Sequence, residues 1–179
     1  MAIIPDDKNW TWVLERPCGE CGFDATSVDI RDMGDLIRSN VARWPALLEH
    51  EQVATRPSDD RWSALEYACH VRDVFRLYDA RLRLMLDTED PHFENWDQDV
   101  TAIEDRYDLQ DPVTVSAELV DAGNAFAARW DAVQPEQLGR RGVRSDGAEF
   151  TVESFGVYFL HDPIHHLDDV ARGNAILAG

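Results

Sequence analysis

The sequence predicts an all-α protein: a four-helix bundle with an irregular N-terminal arm and a long connection between its second and third helices. Three observations carry this. Four stretches repeat apolar residues at spacings of three and four, the period of a helix with one buried face. Each of the four opens on a residue suited to cap a helix N-terminus. Little strand signal separates them, and metal and ligand sites in such bundles are built from side chains on facing helices.

Residues 1–28 form the expected arm, and residues 29–179 the bundle. The arm carries Trp10 and Trp12, then Pro17-Cys18-Gly19-Glu20-Cys21-Gly22, with no helical period. A CxxC turn followed by Gly is half of a zinc knuckle, but a closed structural site needs four ligands. No second Cys pair follows nearby, so Cys18 and Cys21 read as part of a ligand-free or redox-inert arm.

From Asp29 the apolar positions are Ile30, Met33, Leu36, Ile37, Val41, Trp44, Leu47 and Leu48. Asp29 or Asp32 caps this first helix, and Pro45 inside the pattern kinks it or ends it early. Thr55 to Asp60 reads as a loop. The second helix opens on a capping box, Ser63 with Glu66 three residues on, and its stripe of Tyr67, Val71, Val74, Tyr78, Leu82 and Met85 carries it to about Asp87. His70 lies on the flank of that stripe, about 80 degrees from its centre, where a side chain reaches a cavity. Asp73 is placed to orient its ring through the other nitrogen.

Residues 88–111 are acidic, show little period and exceed the usual length of a bundle connection. Trp96, Asp97, Gln98, Asp99 and Tyr107 are the functional candidates there; the plainer reading is a solvated crossover pinned by Phe93 and Trp96. Asp111-Pro112 starts the third helix, whose stripe of Val115, Leu119, Ala122, Phe126, Trp130 and Val133 is core. Arg140 to Gly147 is a basic, Gly-rich turn or short hairpin, and Thr151 caps the last helix.

That helix, TVESFGVYFLHDPIHHLDDVAR, holds His161, His165 and His166, half of the six histidines. His161 and His165 lie about 40 degrees apart on one face, close enough to share an ion, with His70 as the natural third ligand. On a helical wheel, however, they fall opposite the stripe of Phe155, Phe159 and Val170, whereas Asp162 and His166 lie nearer it. Asp162 with His166 is therefore a competing ligand pair, and Pro163 bends the helix between the histidines. Imidazole ligands favour a borderline metal such as Zn²⁺ or Ni²⁺.

The chain carries 35 acidic against 17 basic residues, a formal net charge of −18. Such a surface repels phosphate backbones and anionic lipid, which argues for a small-molecule substrate and against nucleic-acid or membrane partners. Three cysteines, no signal-peptide pattern at MAIIPDDKNW and no membrane-length apolar run point to a cytoplasmic protein. Sixteen of the seventeen basic residues are arginine, the bias of a GC-rich genome.

RWSALEYACHVRD (61–73), the WDQD loop and YFLHDPIHHLDDV (158–170) together resemble the DinB/YfiT-like superfamily. The resemblance implies a four-helix bundle with a metal held by one His of the second helix and an HxxxH pair of the last. That set is His70, His161 and His165, in preference to Asp162 with His166. It also implies a homodimer and one of two chemistries. The favoured one is a thiol-dependent transferase or isomerase using mycothiol or bacillithiol; from their place in the sequence Arg140, Arg141 and Arg144 are candidates to bind an anionic group of cofactor or substrate, and the plainer reading is that they only offset acidic neighbours. The alternative is a hydrolase that activates water on the ion; for it, loop placement and nearness in sequence make Asp97, Asp99 and Asp162 the candidates for general base. A non-catalytic metal- or ligand-binding bundle is the third reading.

Overall fold

The computed structural model describes residues 9–179; residues 1–8, on which the leader reading rests, lie outside the described residues. The first bundle helix is split into α1 (Met33–Val41) and α2 (Trp44–Leu48), with Pro45 in the first turn of α2, where a missing N–H breaks no helical bond. Asn40 spans the break: it accepts from Trp44 Nε1 at 3.0 Å and donates to the Pro163 carbonyl at 2.9 Å. The second bundle helix is α3 (Ala64–Asp87). Its N-terminus is held by the expected box, Glu66 N–H donating to Ser63 Oγ at 3.2 Å and Ser63 N–H to Glu66 Oε2 at 2.9 Å.

The connection after α3 is more ordered than its composition suggests. It contains β1 (His92–Phe93), α4 (Gln98–Glu104) and a 3-10 turn at Tyr107–Leu109. Asp97 caps α4, and the buried Tyr107 donates its hydroxyl proton to Asp73 Oδ2 at 2.6 Å. α5 (Pro112–Asp131) and α6 (Val152–Leu177) complete the bundle, capped by Asp111 and Thr151. The hairpin β2 (Arg141–Arg144) and β3 (Glu149–Thr151) is antiparallel, and β1 joins β2 in parallel with His92 opposite Val143.

α5 lies against α1 and α3, and α6 against α3. The core between them is aromatic: Phe126 meets Phe159 edge-on at 4.7 Å, and Tyr78 stacks on Phe155 at 4.8 Å. Gly156 makes room on α6 for the Trp130 ring of α5, since a Cβ there would lie 2.5 Å from Trp130 Cη2. α6 runs unbroken through Pro163. The arm contributes 3-10 turns at Trp10–Leu14 and Ala25–Ser27, and the first of these packs on α6. Among the described residues no helix is long and apolar enough to cross a membrane.

Candidate metal centres

α6 presents its ionisable residues on two neighbouring strips, His161 with His165 and Asp162 with His166, one residue and so about 100 degrees apart. α3 faces the second strip. His70, the seventh residue of α3, is fully buried between Trp62, at 5.4 Å ring to ring, and Trp96, stacked at 5.3 Å. Its Nε2 lies 3.4 Å from Asp162 Oδ1, and His166 Nε2 lies 3.8 Å from the same oxygen. The expected set of His70, His161 and His165 is therefore divided: the structure brings His70 together with Asp162 and His166. The reason is helical rotation, which turns the other two histidines away from α3.

Ligand atoms about 2.0–2.2 Å from one ion, at angles between right and tetrahedral, stand about 3.0–3.4 Å apart. The two distances to Asp162 Oδ1 approach that spacing, and all three donors lie within 4.8 Å of one another. Asp162 Oδ1 is buried and makes no hydrogen bond among the described residues, as suits an atom aimed at a cation. Burial pushes the Asp162 carboxyl up, but the facing imidazoles of His70 and His166 outweigh it and hold the group low, at about 2. Two histidines and a carboxylate form an open set that suits catalytic divalent metals.

Asp169 was not anticipated. It lies one turn beyond both histidines of α6, at i+3 from His166 and i+4 from His165, so helical spacing carried the signal. His166 Nδ1 and Asp169 Oδ2 are 3.0 Å apart, which leaves His166 Nε2 directed at Asp162. Asp73 does not serve His70 in this way. It is engaged by Arg72, Arg76 and Tyr107, and His70 Nδ1 has no hydrogen-bond partner among the described residues.

Asp162 and His166 line a cavity of about 930 Å³ whose wall includes Trp62, Tyr67, Trp96 and Tyr158. Asp97 and Asp99 also border it, but the Asp97 carboxylate is committed to the α4 N-terminus, accepting from the Asp99 and Val100 N–H groups at 3.1 and 2.9 Å. Arg144 reaches the wall and is already gripped by Asp146, with two bonds at 2.9 and 2.8 Å. Arg140 is spent on the carbonyls of Met85 and Thr88 at the end of α3, and Arg141 on Glu149. Burial drives the Cys69 thiol up to about 12, which removes it from nucleophilic chemistry.

The other strip of α6 is roofed by the arm. Trp10 sits 5.2 Å from the rings of both His161 and His165, and Phe23 sits 5.5 Å from His161. The wheel placed these histidines opposite the core, yet both are buried because the arm supplies a second cover. Cys18 and Cys21 come with it, and their thiols gather with His161 and His165. Burial first of all raises the Cys21 thiol to about 11, outside the range of a redox-active CxxC.

Fold and site together define a helical bundle with histidine and carboxylate groups arranged to fit a divalent metal. The chain belongs to the DinB superfamily, whose family model matches residues 34–170. Among solved structures it is similar to YfiT from Bacillus subtilis, described as a probable metal-dependent hydrolase with an unusual four-helix bundle topology. The two share 17% identity at a TM-score of 0.65, over 98% of this chain and 93% of that one, a likeness of fold. No curated protein matches the chain.

Proposed function

We propose that this chain is a metal-dependent hydrolase whose ion is held by His70, Asp162 and His166. One observation carries the reading: two imidazole nitrogens converge on a buried carboxylate oxygen that no hydrogen bond among the described residues satisfies, on the wall of a large cavity. When bound there, a divalent ion such as Zn²⁺ supplies Lewis acidity, acidifying water and polarising a substrate carbonyl. The remaining work falls to the chain. Trp62 and Trp96 clamp the His70 ring and keep water from its faces. Asp169 orients His166. Asp99, on the wall of the same cavity, is the proton acceptor of this reading.

The thiol-transferase reading keeps one supporting observation, that Arg144 lines the same cavity beside Tyr158 and could meet an anionic cofactor group. The test covers both. Purified protein is assayed on ester and amide panels before and after chelation, then with Zn²⁺ restored. In parallel it is assayed with mycothiol or bacillithiol and a chlorodinitrobenzene electrophile. Hydrolysis that disappears with the ion, returns with it, and falls about 100-fold or more in His70→Ala and Asp162→Asn supports the proposal. Metal-dependent conjugation without hydrolysis replaces it with the transferase, and hydrolysis indifferent to chelation refutes it.

A further inference from the structure

Outside the His70 centre, the arm and α6 together assemble four soft donors in one place. Cys18, Cys21, His161 and His165 each offer an atom within 4.8 Å of all the others. Cys18, His161 and His165 are buried, and Cys21 is half-buried. In sequence they read C-x2-C and H-x3-H, the spacings by which a loop and a helix hold a tetrahedral zinc ion. The pairs stand 140 positions apart, counting from Cys21 to His161.

Three features show a site built for a ligand. The Cys18 Sγ to His165 Nδ1 distance is 3.7 Å; a tetrahedral ion with Zn–S of about 2.3 Å and Zn–N of about 2.0–2.1 Å sets sulfur and nitrogen about 3.6 Å apart. His161 is 95% buried, and its Nε2 has no hydrogen-bond partner among the described residues. The cysteines sit on a tight turn in which Gly22 N–H donates to the Cys18 carbonyl at 2.9 Å and Cys18 N–H to the Phe23 carbonyl at 2.8 Å. Gly22 takes φ +75°, which only glycine adopts freely.

The surroundings fit the same purpose. His165 turns Nδ1 toward Cys18 and its Nε2 toward Glu20 and Asp169, each at 3.7 Å, the carboxylate–imidazole arrangement that orients metal-ligating histidines. Ion binding converts the two thiols to thiolates, releasing their protons to solvent and leaving a neutral Cys2His2 unit.

We propose that Cys18, Cys21, His161 and His165 form a closed structural zinc site that staples the N-terminal arm to α6. The site is distinct from the His70 centre and does not depend on it for ligands. By fixing the arm it fixes Trp10, which borders the cavity, so the staple shapes one wall of the candidate active site.

The test uses the full chain loaded with Co²⁺ in place of zinc, beside zinc analysis by mass spectrometry. Wild type should show thiolate-to-cobalt charge-transfer absorption in the near ultraviolet, and Cys18 and Cys21 should alkylate only after chelation. The Cys18→Ser/Cys21→Ser variant should lose the absorption and hold about one zinc ion per chain fewer. His70→Ala should keep the absorption, which separates this site from the proposed hydrolytic centre. Wild type without the band, a band that survives in the double variant, or cysteines that alkylate equally with and without chelator would each overturn the proposal. Should the serine variant fail to fold, the wild-type spectrum and alkylation decide alone.

Discussion

Asp169 sits between the two groups of candidate ligands. Its Oδ2 faces His166 Nδ1 at 3.0 Å and His165 Nε2 at 3.7 Å, while Arg172 donates to its Oδ1 at 3.1 Å. Asp169→Asn keeps the size and removes the charge that makes each imidazole a better donor to an ion. Metal affinity at the His70 centre should fall about 10–100-fold, read by competition with a chromophoric chelator. Asp73 supports a pH prediction away from the ligands. Burial pushes its carboxyl up, but Arg72 and the Tyr107 hydroxyl outweigh that and lower it. A depressed folded-state value stabilises the fold above the unfolded carboxylate range and is lost as pH falls through the folded value. Urea midpoints should therefore drop below about pH 4, with a shallower decline in Asp73→Asn. That variant should cost about 1.5–3 kcal/mol at neutral pH through its charged hydrogen bonds.

At the level of elements, the helices were legible wherever their ends are written locally. Ser63 with Glu66, Asp111 with Pro112, and Thr151 mark starts that the structure places within a residue of the expectation, because a cap needs only its neighbours. α4 was missed: its start at Asp97 lies in an acidic, aperiodic stretch whose order comes from Tyr107 and Trp96 reaching α3. The parallel pairing of β1 with β2 joins segments too far apart for any local pattern to predict. The α3 cap also carries a test. Ser63→Ala removes the hydroxyl that accepts from Glu66 N–H, and should lower unfolding free energy by about 1–2 kcal/mol in urea titrations.

For the whole molecule the dominant physical quantity is its charge. With 35 acidic and 17 basic residues, the native surface repels itself, and that repulsion reaches about 30 Å at 10 mM salt but only about 8 Å at 150 mM. The melting temperature should rise over that range of NaCl by differential scanning fluorimetry; no rise would mean that the 18 excess carboxylates are spread too widely for their repulsion to weaken the fold.

The sequence by itself determined where the bundle helices α3, α5 and α6 start, their core stripes and which residues of α3 and α6 are candidate ligands, since each is set by spacing within a turn or two of chain. It could not determine how those donors divide. His161 and Asp162 are neighbours in sequence, as are His165 and His166, and each pair splits between two groups of candidate ligands. Which partner each meets depends on what lies against either side of α6: α3 with His70 on one, the arm with Cys18 and Cys21 on the other. Contacts made across so many residues are decided only by tertiary packing, because the rotation of one buried helix, about 100 degrees per residue, hands successive side chains to different neighbours.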